Sequence, residues 1–135
     1  MTSIYKEYFS YCRKWKNVYG EKTLVLIQIG KFYEMYALKD DDGNIHENDM
    51  YAIERMSFLT IADKKYKYEK MNVLQAGFNI TCFDKFINIF QDNDYTTVIY
   101  EQDSVGKNTT RSLSEIISPG TYIEDDTISI SNVTL

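Results

Sequence analysis

The segment Thr23-Leu24-Val25-Leu26-Ile27-Gln28-Ile29-Gly30 constrains this chain most. It is β-rich and almost wholly apolar, which fits a strand covered on both faces. Its longest apolar run, Leu24–Ile27, is broken by Gln28. That run is far short of the roughly 20 residues a membrane helix needs, so no membrane span is expected.

The other elements follow from pattern. Ile4, Tyr8, Tyr11, Cys12, Trp15, Val18 and Tyr19 recur at helical spacing, predicting an amphipathic helix over residues 3–19 stopped by Gly20. Gly30-Lys31 allows a bend, and Phe32–Leu38 reads as a second strand. Asp40-Asp41-Asp42-Gly43-Asn44 has turn chemistry. Asp49–Met56 reads as a short helix capped by Asn48. Phe58–Ala62 is expected to be a strand and Asp63–Lys70 a charged exposed segment. Asn72–Phe78 is a strand. Thr81–Gln91 is a helix with Phe83, Phe86, Ile87 and Phe90 on one face, capped by Thr81 and favoured by Asp84 in its first turn. Tyr95–Tyr100 and Ser112–Ile117 are strands around a loop over 105–110. Ser118-Pro119-Gly120 stops the last one, and 127–133 is weakly β. This order predicts an α/β fold, a mixed sheet of about six strands flanked by about three helices. At 135 residues the chain suits one domain.

The start of the chain lacks a basic segment followed by an apolar one, so no secretory leader is expected. Cys12 and Cys82 form no close pair and read as reduced intracellular thiols. His46, the only histidine, lies in a polar turn and reads as a solvated residue. No Cys/His set can hold zinc. Gly106-Lys107 lacks the preceding glycine of a phosphate loop, because Glu101 stands there, and Asn108 replaces its Ser/Thr. Asp40–Asp42 can be read as a hard-cation site or as a solvated turn. Glu101 and Asp103, at a strand end, leave open a metal-dependent nuclease, although the lysine spacing of a common metal nuclease is missing. No catalytic residue is assigned, and no metal or cofactor is expected in this segment.

Gly30-Lys31-Phe32-Tyr33-Glu34 is unusual on physical grounds. Strand alternation puts Phe32, Glu34 and Tyr36 on one face, with Tyr33 and Met35 on the other. An unpaired carboxylate between two aromatics is costly in a dry core. Either Phe32 packs inside with Glu34 at an exposed edge, or the face meets a ligand. An aromatic wedge beside a hydrogen-bonding carboxylate suits probing a base in a duplex. A mispaired base resists unstacking less than a paired one.

These residues resemble the N-terminal mismatch-recognition domain, domain I, of MutS DNA mismatch repair proteins. The resemblance runs in order over residues 3–124. Val25–Tyr36 is similar to the family's strand ending in Gly-x-Phe-Tyr-Glu-Leu-Phe/Tyr. Ala76-Gly77-Phe78, the helix Phe83–Phe90, Val98-Ile99-Tyr100-Glu101-Gln102 and Ile116-Ile117-Ser118-Pro119-Gly120-Thr121 follow at near-family spacing. The Asp40–Glu47 stretch is an insertion, and Asn79-Ile80-Thr81 replaces the family's Pro-x-His. The resemblance is nearest to MutS forms of giant DNA viruses and some organelles. It implies that Phe32 is the wedge stacking on the mispaired base and that Glu34 hydrogen-bonds that base.

Lys31, Arg13, Lys14 and Lys16 are candidate contacts to the DNA backbone. Residues 1–124 would be the recognition domain and 125–135 a last strand or the start of a linker. The resemblance further implies a longer, dimeric protein with connector, core, clamp and ATPase domains, using ATP and magnesium. Its partner would be mismatched double-stranded DNA, its setting the host cytoplasm or virion factory, the nucleus or an organelle. The same domain used for assembly or for a specialised DNA structure is the alternative. The charge is compatible with DNA contact: the net of −5 divides into +4 over residues 1–39 and −9 over 40–135. Contact would be confined to the face near Phe32.

Overall fold

The computed structural model describes residues 3–103 and 109–119. Most of the expected loop over 105–110, the Gly106-Lys107 pair, the boundary at 124 and the tail over 125–135 lie outside the described residues.

Helix α1 (Ile4–Tyr19) begins where the Ser3 hydroxyl accepts a hydrogen bond from the Lys6 amide at 3.1 Å. It ends at Gly20, whose φ of +95° few other residues adopt. Strands β1 (Thr23–Ile29) and β2 (Phe32–Lys39) form a hairpin through Gly30-Lys31, with Ile29 facing Phe32. Gly30 has a φ of +59°, which a two-residue hairpin turn commonly places at its first position. A short β3 (Ile45–His46) pairs with the far end of β2, and α2 (Met50–Ser57) follows. Strands β4 (Ala62–Tyr68) and β5 (Met71–Asn79) make a second hairpin. A 3₁₀ turn (Ile80–Cys82), α3 (Phe83–Asp92), β6 (Thr96–Gln102) and β7 (Arg111–Ile117) complete the described elements.

The sheet runs β4-β5-β2-β1-β6-β7, with β3 attached to β2. Among the described strands only β1 and β6 are parallel; the other pairs are antiparallel. The fold is thus α/β with a mixed open sheet and three helices, as the pattern predicts. Strand β1 lies near the middle, and α1 covers one face of the sheet. There the Tyr8 hydroxyl donates to the Val25 carbonyl at 2.7 Å, and Tyr11 stacks on Tyr100 at 3.7 Å between centroids. On the other face Phe83 meets Tyr33 and Phe86 meets Phe78, so α3 supplies the second cover. Helix α2 packs against α3. Leu24, Leu26 and Ile27 are fully buried between these layers, which accounts for the unbroken apolar run. No described helix is long and apolar enough to cross a membrane.

Four expectations are corrected. Phe58–Ala62 is not a strand: Phe58 caps α2 in the left-handed region, and β4 starts at Ala62 and runs through the charged segment. Charges fit there because β4 is an edge strand, and lysines along an edge discourage pairing with other chains. The α2 cap is Asp49, whose carboxylate accepts from the Ala52 amide at 3.1 Å. Asn48 is instead buried, donating to the Tyr8 hydroxyl at 2.9 Å and the Tyr36 carbonyl at 2.7 Å. Thr81 does not cap α3, because the 3₁₀ turn delays that helix to Phe83 and Asn79 caps the turn. The expected polar turn around His46 contains β3.

Candidate nucleic-acid interface

Phe32 opens β2 at the tight end of the β1–β2 hairpin, between Ile29 on β1 and Asn79 on β5. It is 48% exposed, whereas Tyr33 and Met35 on the opposite face are buried. The alternation expected from sequence is therefore present. Of the two readings of Phe32, full packing inside does not hold, because the residue is 48% exposed. Phe32 and Glu34 line a shallow cavity of about 390 Å³ with Thr60, Ala62, Gln75, Ala76 and Gly77. Gly77 lies opposite Glu34 in the register. A Cβ there would sit 2.8 Å from the Tyr33 carbonyl oxygen and 3.3 Å from Glu34 Cγ. Absence of a side chain at Gly77 therefore keeps β5 close and leaves the flank of Glu34 open.

Glu34 is half-buried and not orphaned. Tyr36, two residues on and on the same face, donates its hydroxyl to Glu34 Oε1 at 2.5 Å. Burial, followed by this carboxylate, pushes the Tyr36 phenol far above its ordinary range, so it remains a donor. Tyr5, on α1, packs edge-on against Tyr36 and feels the charge of Glu34, which adds to the upward shift caused first by its own burial. The arrangement offers an exposed aromatic and, beside it, an oriented hydrogen-bond acceptor.

The candidate cations do not all gather around Phe32. Lys31 is exposed beside it in the hairpin turn, where its carbonyl also accepts from the Ile80 amide at 2.9 Å. Arg13 is ion-paired to Glu47 at 2.7 Å and to Glu69 at 3.1 Å. Lys16 donates to the carbonyls of Glu21 and Thr23, at the opposite end of β1 from Phe32. Seven residues of strand put those ends on the order of 20 Å apart. Lys14 lies over the Trp15 ring.

Two basic features escape a reading of the sequence. The Arg111 Nε donates to the Gln28 carbonyl at 2.7 Å, across 83 positions of chain, which brings a guanidinium to the Phe32 end of the sheet. Its charge lowers the phenol pKa values of Tyr11 and Tyr36 against the larger upward push of burial. No local signal marks this residue. The other feature is the β4–β5 hairpin, where Lys64, Lys65, Lys67 and Lys70 are exposed. Its composition is visible in the sequence, but its place comes only from the β2–β5–β4 pairing, which sets Lys67 level with Asn72 and Lys39, at the end of β2 away from Phe32.

The remaining carboxylates are engaged otherwise. Asp40 accepts from the amides of Asp42 and Asn44 and bonds the His46 ring at 2.8 Å, so the acidic turn is internally tied. Glu101 accepts from the hydroxyls of Tyr33 at 2.6 Å and Ser114 at 3.0 Å, and Asp103 from Ser112 and Thr110. Among the described residues no three His, Cys, Asp or Glu side chains converge as metal ligands. Cys12 is buried, which pushes its thiol up to about 12, and Cys82 is half-buried; both are free.

Comparison with known proteins agrees with this architecture. The family model for MutS domain I matches residues 9–126. A putative DNA mismatch repair protein MutS homolog of Acanthamoeba polyphaga mimivirus is 36% identical over 124 residues, covering 91% of this chain and 11% of its own length. A mitochondrial DNA mismatch repair protein MutS homolog of Sarcophyton glaucum is 24% identical, covering 93% of this chain and 15% of its own length. The chain thus spans a small part of each relative, and one relative is viral and the other mitochondrial, as the resemblance implied. With the match covering most of its length and the α/β architecture in accord, this chain belongs to the MutS domain I family.

Proposed function

We propose that this domain senses mispaired bases in double-stranded DNA, with Phe32 as the stacking wedge and Glu34 as the hydrogen-bonding probe. The observation that carries the reading is the half-exposed ring of Phe32 at a strand end, with Glu34 beside it in an open cavity. Unstacking a base step costs a few kcal/mol, and aromatic stacking returns on the order of 1–3 kcal/mol. A mispaired base starts with less to lose, so the balance favours damaged pairing without reading sequence. A matched base engages its own hydrogens in pairing and leaves the Glu34 carboxylate facing phosphates without compensation.

Lys31, in the turn beside Phe32, and Arg111, tied to Gln28 at the same end of the sheet, are the proposed contacts to phosphates flanking the probed base; the lysines of the β4–β5 hairpin lie toward the Lys39 end of β2 and are not part of that surface. Arg13 and Lys16 act mainly within the protein. The domain carries out no chemistry of its own. It serves as one module of a longer intracellular protein that dimerises and uses ATP and magnesium in other domains.

The test compares full-length protein and its Phe32→Ala and Glu34→Ala variants on a matched duplex and on one with a single G·T mismatch. Phe32→Ala is expected to reduce the mismatch preference by about tenfold or more, equivalent to at least ~1.4 kcal/mol. An unchanged preference would refute the wedge and favour use of the same fold in assembly or on a specialised DNA structure.

A further inference from the structure

We infer that Tyr36 is the positioning residue of this site: its hydroxyl holds one oxygen of Glu34 so that the other is presented, as an acceptor, to the N–H of an unpaired base. The inference rests on the proposed role of Glu34 and adds to it a cause for the carboxylate's orientation.

The geometry is specific. Tyr36 Oη lies 2.5 Å from Glu34 Oε1. Tyr36 itself is 3% exposed, so this hydroxyl acts from a rigid base rather than from a mobile surface chain. Tyr5 and Tyr8 pack on its ring in T-shaped contacts, each at 5.0 Å between centroids. Its backbone carbonyl accepts from the buried amide of Asn48 at 2.7 Å. Tyr8, Asn48 and Tyr36 thus form one connected set beneath Glu34, with Tyr8 also tied to the Val25 carbonyl.

An ionised carboxylate accepts hydrogen bonds through both oxygens and donates none. Tyr36 occupies Oε1, and among the described residues no donor reaches Oε2. Gly77 leaves the flank of the side chain without a Cβ, and the cavity shared with Phe32 lies on that open side. A glutamate free to rotate would have to surrender that freedom on meeting DNA. One already held loses less, so the same contact yields more discrimination. The phenol cannot reverse its role while Glu34 is ionised, because neither carboxylate oxygen carries a proton to give. The complementary group on DNA is therefore a donor: a base imino or amino hydrogen left without its Watson–Crick partner.

A buried tyrosine needs an acceptor for its hydroxyl whatever the function. The experiment must therefore separate aiming Glu34 from satisfying Tyr36. Full-length protein, Tyr36→Phe, Glu34→Ala and the double variant are titrated with the matched and G·T duplexes. Phenylalanine keeps the ring that packs on Tyr5 and Tyr8 and removes only the donor. Tyr36→Phe is expected to lower the mismatch preference about fivefold, to move matched-duplex affinity less than twofold, and to add less than twofold in the Glu34→Ala background.

A loss of equal size in both backgrounds would overturn the inference and leave Tyr36 a packing residue. Loss in Glu34→Ala with none in Tyr36→Phe would overturn it while leaving the role of Glu34 standing. No loss in Glu34→Ala would refute that role and the inference together. A second arm uses Glu34→Gln. Its amide oxygen must accept from Tyr36, which turns its NH₂ toward the base. The Gln variant should lose preference, and Tyr36→Phe added to it should restore at least twofold by freeing the amide to turn over. Absence of that rescue, with an intact Tyr36→Phe effect, would also count against the orientation argued here.

Discussion

Phe32 and Tyr36 are both aromatic, stand on the same face of the same strand, and are four residues apart. One is 48% exposed and the other 3%. Residue type does not explain the difference, and neither does strand alternation. Cover does. Tyr5 and Tyr8 of α1 pack against Tyr36, whereas no aromatic contact reaches Phe32 among the described residues. Strand β2 is thus a core element at its Tyr36–Leu38 end and a surface element at its hairpin end. A side chain that resembles core in composition is left outside because the covering helix serves the other half of the strand.

The largest test of that division compares Leu38→Ala with Phe32→Ala. Leu38 lies on the same face and is fully buried. Its truncation removes buried methyl groups and leaves a cavity, so stability should fall by about 2–5 kcal/mol. Phe32→Ala should cost less than about 1 kcal/mol, in the range of surface changes. Urea denaturation measures both. Comparable losses would make Phe32 a core residue and remove the physical ground for calling it a wedge.

A smaller effect tests whether the open end is built or incidental. Gly77→Ala places a Cβ 2.8 Å from a backbone oxygen that has little room to retreat. Overpacking of this kind costs on the order of 1–3 kcal/mol. It should also crowd Glu34 and lower mismatch preference. A variant of unchanged stability would mean that β2 and β5 separate easily here, and that Gly77 does not set the shape of the cavity.

How far these two ends can be read from sequence depends on the kind of information each requires. Thr23–Ile29 announces its double cover through composition, and α1 and α3 announce themselves through spacing. Phe32, Glu34 and Tyr36 share a face by alternation alone, so the candidate site is legible once β2 is recognised. Whether Phe32 is buried is not, since that depends on how far α1 reaches. Strand β4 is hidden because an edge strand need not alternate apolar and polar residues; its strandedness is imposed by β5. Arg111 is hidden because its approach to Gln28 is a purely tertiary event. Asn48 illustrates a further limit: a cap by residue type, it is drawn instead into the set that includes Tyr8 and Tyr36, and Asp49 takes the cap.

The smallest effect concerns the turn beyond the buried end of β2, and it sharpens the contrast by pH. The His46 ring, then the amides of Asn44 and Asp42, hold the Asp40 carboxyl below its ordinary value of 3.8. A carboxyl whose pKa falls on folding adds stability above its unfolded pKa. That contribution disappears as pH falls through the lower, folded value. The Asp40 side chain lies in a surface turn and is 26% exposed, so the effect is modest and confined to pH below about 4. In urea denaturation from pH 6 to pH 3, Asp40→Asn should lack this component of the acid loss and otherwise follow the parent curve. Superimposable curves would mean that the Asp40–His46 contact does not couple to folding. Mismatch preference at neutral pH should be the same in both proteins, because nothing in the Asp40 turn touches Phe32 or Glu34. A changed preference would show that the two ends of β2 communicate, and the division between a stabilising end and a recognising end would have to be abandoned.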